Sequence, residues 1–150
     1  MSQYDDLMAH VKMTQALGQV MGRLGWDQET MMPRGAAGQR GEEMAAMEQV
    51  LHARRCDPFV GAMLATVVPE NEVQTAQLRH IRQSYERATK VPADLAAEIA
   101  KVTSGAQGAW AAARAADDFK AFAPVLKHVV ALKQEEGKAL AGDGPLYDAM

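Results

Sequence analysis

Apolar side chains recur along most of this chain at the spacing expected of α-helices. In the first segment, from about Tyr4 to about Leu24, they stand three or four residues apart on one side of a predicted helix. These residues are Leu7, Met8, Val11, Leu17, Val20, Met21 and Leu24. No stretch alternates apolar and polar residues between hairpin turns, as strands would. The pattern therefore predicts an all-α protein.

Prolines and capping residues divide the remainder into five further helices. Pro33 ends the first helix, because a proline disfavours helical geometry at the residue before it. Asp57 and Pro58 predict a helix start, with an N-cap followed by proline in the first turn. Pro124 is placed in the true first turn of the sixth helix. The predicted ranges are 36–54, 58–67, 70–89, 92–116 and 118 onward. With short connectors, six mostly antiparallel helices are expected.

Two features of these helices predict how they pack. Gly18, Gly22 and Gly25 fall on one face of the first helix, and each costs about 1 kcal/mol relative to alanine. We expect another backbone to pack closely there; the alternative is that they only loosen the helix end. Apolar faces are predicted for the later helices as well. Their residues are Val73, Leu78, Ile81 and Tyr85, then Leu95, Ile99, Val102 and Trp110, then Phe119, Phe122, Val125, Leu126, Val129 and Leu132.

The composition indicates one globular domain spanning residues 1–150. The chain is 48% hydrophobic and 23% charged, too apolar for a disordered protein. Its net charge of −3 gives no overall attraction to nucleic acid or anionic lipid. The single cysteine, Cys56, cannot form an internal disulfide, which fits a reducing compartment. No apolar run is long enough to span a bilayer. We therefore predict a cytoplasmic protein that binds neither nucleic acid nor membrane.

Few residues suggest chemistry. The four histidines, at positions 10, 52, 80 and 128, are far apart in the sequence, and none begins a His-Glu-x-x-His motif. We therefore predict no metal ligand and no catalytic residue in this chain. Cys56 follows "HARR", whose positive charge could lower the pKa of the thiol; otherwise Cys56 is a small apolar residue at a helix end. The basic stretch "LRHIRQSYERATK" is interpreted as a solvated helix face and not as a nucleic-acid patch.

The segment "GWDQETMMPRG", residues 25–35, is the main candidate site. If the backbone turns here, Asp27 and Glu29 could converge on one substrate beside Trp26 as an acid/base pair. In a continuing helix the two carboxylates would point in different directions. The alternative is structural: Asp27 and Thr30 bind free backbone groups at a helix end while Trp26 fills the core. Residue chemistry alone favours the structural interpretation.

The stretch "GWDQETMMPRGAAGQRGEEMAAM" resembles the N-terminal signature of the carboxypeptidase Taq family of thermostable zinc metallocarboxypeptidases. "YERATKVPADL", "AQGAWAAARAADDFKAFAPVLKHVVALKQEEG" and "LYDAM" agree with that family in the same order. The resemblance covers nearly the whole chain. It implies either a cleft-lining or a structural role for the motif residues Trp26, Asp27, Gln28, Glu29, Thr30 and Pro33.

Members of this family are longer, and their zinc is held by a His-Glu-x-x-His helix and a downstream glutamate. Because no position here matches that motif, the resemblance implies that the chain is a lid-like N-terminal part without catalytic or zinc-binding residues. The ending "LYDAM" is expected to be an element cut off, which would leave the domain truncated at its C-terminal end. The implied whole enzyme is a zinc-dependent homodimer that releases C-terminal amino acids from peptides, and the piece alone is expected to be inactive.

Two other functions are kept open. A stand-alone helical interaction module related to this lid could bind a partner through methionine-rich faces, since methionine adapts to irregular surfaces. The other is a hydrolase that depends on Cys56, or on Asp27 and Glu29. It would require activity of the isolated chain that is lost on Glu29→Gln.

Overall fold

A computed structural model describes residues 2–149, and within this range the chain is helical and contains no strand. Met1 and Met150, the latter being the last residue of "LYDAM", lie outside the described residues. The helices are α1 (Gln3–Thr30), α2 (Ala37–Arg55), α3 (Pro58–Thr66), α4 (Glu72–Lys90), α5 (Ala93–Ala115), α6 (Phe119–Ala141) and the single turn α7 (Leu146–Ala149), with a 3-10 turn at Arg34–Ala36. The prediction of an all-α chain with about six main helices is confirmed.

Helix α1 is longer than predicted. It does not end at Leu24 but continues through the "WDQET" segment to Thr30. Glycine at position 25 is tolerated inside the helix, and the N–H groups of Met31 and Met32 both donate to the carbonyl oxygen of Asp27 at 2.9 Å. The break then comes at Pro33, as the sequence predicted.

Side-chain caps set the starts of α3 and α4. The carboxylate of Asp57 accepts a hydrogen bond from the Phe59 N–H at 2.9 Å, which confirms the predicted start of α3. The side chain of Asn71 accepts from the Gln74 N–H at 3.0 Å, so α4 begins at Glu72 and later than predicted. An N-cap oxygen satisfies a donor that the first helical turn leaves free, and this cap fixes the start more strongly than the preceding proline does.

The start of α6 corrects another prediction. The carboxylate of Asp118 accepts from the Ala121 N–H at 3.1 Å, so the helix begins at Phe119. Pro124 therefore lies inside α6 and not in its first turn, so that prediction was wrong. The aspartate cap outweighs the loss of one N–H donor at the proline.

A cluster of buried apolar side chains joins α1, α3 and α4. Leu7 is 0% exposed and packs with Val60, Leu64 and Leu78. The partly buried residues around this cluster include Ile81 and Tyr85, as the apolar stripe of α4 predicted; the cluster also takes in Tyr4, Val11, Met63 and Val67. Val73 was placed in the same stripe, but its side chain is 67% exposed, so this part of the prediction was wrong.

The apolar faces predicted for α5 and α6 are only partly buried. Trp110 is 51% exposed, Phe119 is 67% exposed and Leu126 is 38% exposed, so none of the three lies in the core of the described residues. Other members of these faces are half-buried, and they are Leu95, Ile99, Val102, Phe122, Val125, Val129 and Leu132. Helix α6 packs mainly on α5 and α7. These two neighbours do not cover the whole apolar face of α6.

A neighbouring helix backbone packs against Gly41 of α2, whereas no backbone of the described residues packs against the three glycines of α1. A Cβ atom placed on Gly41 would lie 3.5 Å from the Lys101 carbonyl oxygen of α5. At Gly18 and Gly22, no neighbouring atom of the described residues would lie within 4 Å, so the predicted close approach there was wrong. Helices α2 and α5 therefore pack through Gly41.

Replacing Gly41 with leucine is expected to lower the free energy of unfolding by about 1–3 kcal/mol, because the added side chain forces α2 and α5 apart. Urea unfolding followed by far-UV circular dichroism measures this change. Gly38→Leu is the matched control, since Gly38 lies in the same helix and a Cβ there meets nothing within 4 Å. Equal stability of the two variants would contradict the assigned packing.

Candidate functional site

The end of α1 is joined to α2 by one buried arginine. Arg40 is 8% exposed, and its Nη2 donates to the Asp27 carboxylate at 2.6 Å. Its Nε donates to Glu43 at 3.0 Å, and its Nη1 donates to the carbonyl oxygen of Leu24. The hydrogen bond to Asp27 is the main reason why the pKa of the Arg40 guanidinium is raised above its ordinary value. Arg40 thus holds the last turns of α1 against the start of α2.

The same end of α1 is joined to α5 by amide side chains. Gln28 and Ser104 bind each other reciprocally: the Gln28 Nε2 donates to the Ser104 carbonyl at 2.8 Å, and the Ser104 hydroxyl donates to the Gln28 Oε1 at 2.7 Å. Next to this pair, the Gln107 Nε2 donates to the Glu29 carboxylate at 2.7 Å. Ser104 and Gln107 are three residues apart on α5 and so share a face. The polar side chains of the motif therefore connect three helices.

The two carboxylates of the motif do not form an acid/base pair. Asp27 binds Arg40 on α2, and Glu29 binds Gln107 on α5. Because the helix continues through the motif, residues two apart face different neighbours. The interpretation in which Asp27 and Glu29 converge on one substrate is not supported by this geometry.

The structural interpretation of the motif also needs correction. Trp26 is 64% exposed and does not fill the core of the described residues. Asp27 binds a guanidinium group instead of free backbone N–H groups. The Thr30 hydroxyl does bind a backbone group, since it donates to the Trp26 carbonyl at 2.7 Å. Pro33 is exposed and precedes the 3-10 turn without a side-chain cap. Trp26 and Pro33 are therefore the motif residues with exposed side-chain surface and no partner in this junction.

Three residues that complete this junction, Arg40, Ser104 and Gln107, were not predicted as site residues. The available signal was weak. Arg40 is an arginine within an otherwise small and polar helix start, and Ser104 and Gln107 are two polar residues at helical spacing on the otherwise small-residue face of α5. Nothing in the sequence connects them to residues 27–29.

The histidines do not assemble a metal-ion site. The His10 Nε2 lies 2.9 Å from the Arg54 carbonyl, and the His52 Nε2 lies 2.7 Å from the Val91 carbonyl. Among residues 2–149, no three His, Cys, Asp or Glu side chains are grouped so that they could hold a metal ion. The described residues therefore do not fit the zinc that the family implies, and no metal-dependent step is assigned to them.

Cys56 is not activated as a nucleophile. Its Sγ lies 3.7 Å from Nδ1 and 3.8 Å from Nε2 of His52, one helical turn earlier in α2. Burial raises the pKa of the Cys56 thiol, and the opposing effect of Arg55 is smaller. The alternative in which "HARR" lowers this pKa is therefore not supported, and the raised pKa agrees with the interpretation of Cys56 as a small apolar residue at a helix end.

Alkylation of Cys56 by iodoacetamide at about pH 8 is expected to be several-fold slower in the folded chain than in urea, because the raised pKa leaves less thiolate. The rate should also rise at a higher pH in the folded chain than in the unfolded one. Mass spectrometry measures the reaction, with Cys56→Ser as the background control. Equal rates in the two states at every pH would contradict the raised pKa.

Within residues 2–149, no helix combines the length and the apolar character that crossing a bilayer requires.

The sequence and fold identify the family. Residues 6–150 match the family described as Carboxypeptidase Taq (M32) metallopeptidase. The chain belongs to this family. The resemblance that the "GWDQETMMPRG" segment and the later stretches suggested is thereby confirmed, and the all-α fold is that of the N-terminal helical part of an M32 carboxypeptidase.

Relatives with known names or structures agree with this assignment. Thermostable carboxypeptidase 1 of Thermus thermophilus is 36% identical over 98% of this chain, which corresponds to 32% of that relative. The structure of Pyrococcus furiosus carboxypeptidase covers 99% of the chain with a TM-score of 0.75 and 25% identity, and BsuCP has the same fold with a TM-score of 0.91 at 17% identity. The chain spans 31% of each of these two structures, so it matches about a third of an M32 carboxypeptidase.

Proposed function

We propose that this chain is the lid-like N-terminal helical part of a metallocarboxypeptidase that uses zinc to release C-terminal amino acids from peptides. The observation that carries the proposal is the 36% identity over nearly the whole chain to a relative whose name is thermostable carboxypeptidase 1. Similarity that extends over 98% of the chain, without being limited to one motif, supports a shared role in the enzyme.

The chain by itself is proposed to be inactive. About two thirds of the relative's length lies outside the match. We place the zinc ligands and the catalytic glutamate in that remaining part, on the His-Glu-x-x-His helix that the family resemblance implies. The described residues would then shape the enzyme and cover its substrate, while the bond cleavage would take place elsewhere.

The motif is proposed to fix the position of this cover. Asp27 is held by Arg40, and Gln28 and Glu29 are held by α5, so three helices move as one body at this point. The exposed side chain of Trp26 is left free to contact the peptide or the catalytic part. A lid that moves as a rigid body excludes water and limits the enzyme to chain ends.

The setting of the whole enzyme is also a proposal. A single cysteine supports a cytoplasmic location, and the net charge of −3 supports a protein that binds neither nucleic acid nor membrane surfaces. Exposed aromatic side chains such as Trp110 and Phe119 offer apolar surface for a homodimer or for the catalytic part.

The decisive experiment reads the source coding region beyond the Met150 codon and assays the encoded protein. We expect an open reading frame with His-Glu-x-x-His and a later glutamate, and an enzyme that releases C-terminal amino acids from N-blocked dipeptides. A zinc chelator should abolish this activity, and replacing the first glutamate of that motif should do the same. The 150-residue chain, assayed in parallel, should release nothing.

Two outcomes would overturn the proposal. An in-frame stop after Met150 would favour the stand-alone interaction module, whose binding partner would then have to be found. Release of amino acids by the isolated chain, lost on Glu29→Gln, would favour a hydrolase built within these residues.

A further inference from the structure

A groove between α1 and α4 combines apolar walls with positive charge. It has a volume of about 250 Å³, and its lining also includes the C-terminal turn of α2 and Val60 of α3. Val11 and Ile81 form its apolar walls, and the side chains of Arg54 and Arg55 lie at its end. No carboxylate lines this α1–α4 groove, although the whole chain has a net charge of −3. The lining of the groove therefore carries positive charge and no negative side chain.

Arg54 uses only some of its hydrogen-bond donors within the described residues. Its Nε donates to the Thr14 hydroxyl at 3.0 Å, and its Nη2 donates to the His10 carbonyl at 3.2 Å. A guanidinium group has five N–H donors, and the other three make no hydrogen bond to residues 2–149. No Asp or Glu within that range lies at salt-bridge distance from Arg54, whereas the neighbouring Arg55 is paired with Glu48 at 2.8 Å.

Contacts with α1 position both the backbone and the side chain of Arg54. The His10 Nε2 lies 2.9 Å from the Arg54 carbonyl, and the His10 ring packs on the Phe59 ring with 5.7 Å between centroids. Both hydrogen bonds of the guanidinium are made to α1, at Thr14 and His10. A half-buried cation that is already ordered loses little side-chain entropy when it binds a ligand.

We propose that the α1–α4 groove binds a small monocarboxylate with a branched apolar body. The planar guanidinium of Arg54 matches a carboxylate through paired N–H···O bonds. The walls formed by Val11, Val60 and Ile81 select a ligand with apolar carbon atoms behind the charged group. The volume of about 250 Å³ is that of a small-molecule site. This site is separate from the junction formed by residues 27–29 and does not depend on the proposed peptidase function.

The test uses 4-methylpentanoate as the probe and follows the ring resonances of His10 and His80 by NMR, since both residues line the groove. We expect saturable shifts with 4-methylpentanoate and much weaker binding of 4-methylpentanamide, acetate and inorganic phosphate. Arg54→Gln should weaken binding at least about tenfold, because it removes the charge-assisted pair. Arg23→Gln is the matched control, since Arg23 is an exposed residue of α1 outside the groove.

A second variant keeps the proposal testable if Arg54→Gln does not fold. Ser84 is an exposed residue of α4 that lines the groove, and Ser84→Trp fills the groove without touching the Arg54 contacts. It should abolish the shifts while the far-UV circular dichroism stays unchanged. Equal binding by the wild type and Arg54→Gln would overturn the proposal. So would equal binding of the amide, or of phosphate and acetate, because the site would then recognise no carboxylate or no apolar body.

Discussion

Replacing Leu7 with alanine is expected to lower the free energy of unfolding by about 3–5 kcal/mol, the upper part of the range for buried leucines. Leu7 is 0% exposed and packs against Val60 and Leu64 of α3 and Leu78 of α4. Three helices meet at this side chain, so the cavity left by its removal cannot be closed by moving one of them. A domain of this size is stable by only about 5–15 kcal/mol. The variant should therefore unfold at much lower urea concentrations.

Met13→Ala is the matched control for this experiment. Met13 belongs to the same helix, but its side chain is 57% exposed. Its replacement should change the free energy of unfolding by less than about 0.5 kcal/mol, as is usual for surface positions. Urea unfolding of both variants gives the comparison. A loss of less than about 1 kcal/mol for Leu7→Ala would show that the α1, α3 and α4 cluster does not hold the fold together.

The sequence predicts the helices well, because helix formation depends on local signals. Apolar spacing, the Asp57–Pro58 start and the break before Pro33 are all contained within a few residues of the element that they define. The errors arise where two local signals compete. The apolar spacing that ended at Leu24 suggested an early end to α1, yet the helix continues through Gly25, whose cost is about 1 kcal/mol, to Thr30. Pro124 suggested a late start to α6, and the Asp118 cap prevailed.

Burial was predicted less well than helix position. Periodicity shows which residues share a face, but it does not show whether another helix covers that face. Leu78 and Ile81 face α1 and α3 and are covered, whereas Val73 on the same stripe is 67% exposed. Phe119 is also exposed, since the start of α6 has no helix over it within the described residues. Which apolar faces are covered depends on the arrangement of all helices and therefore cannot be read from one helix.

The candidate site shows the same limit more strongly. Residues 26–30 were singled out from the sequence, but their partners were not. Asp27 and Arg40 are 13 residues apart, whereas Gln28 and Ser104 are 76 apart, and Glu29 and Gln107 are 78 apart. The first contact requires α2 to lie beside α1, and the other two require α5 to lie beside α1. The sequence therefore identified the motif, first by its carboxylates beside Trp26 and then by its resemblance to a family, and the structure supplied the partners of its polar residues.

Replacing Arg40 with glutamine is expected to release the last turns of α1 from α2. Glutamine cannot reach Asp27, Glu43 and the Leu24 carbonyl together, so the variant leaves a carboxylate and a carbonyl without their donor. Amide hydrogen exchange measures the result segment by segment. The amides of residues 27–32 should exchange at least about tenfold faster, while those of α3 and α4 should be nearly unchanged.

Lys101→Gln is the control, because Lys101 also joins α2 to α5 through a charge pair, in this case with Glu42 at 2.6 Å. Both partners of that pair are largely exposed, at 45% and 62%, whereas the Arg40 side chain is 10% exposed. Salt screens exposed charges far more than buried ones. At about 1 M NaCl the wild type and Lys101→Gln should therefore converge in exchange rate, while the effect of Arg40→Gln should persist. If salt removed the Arg40 effect as well, Arg40 would be an ordinary surface charge, and the motif would need another explanation.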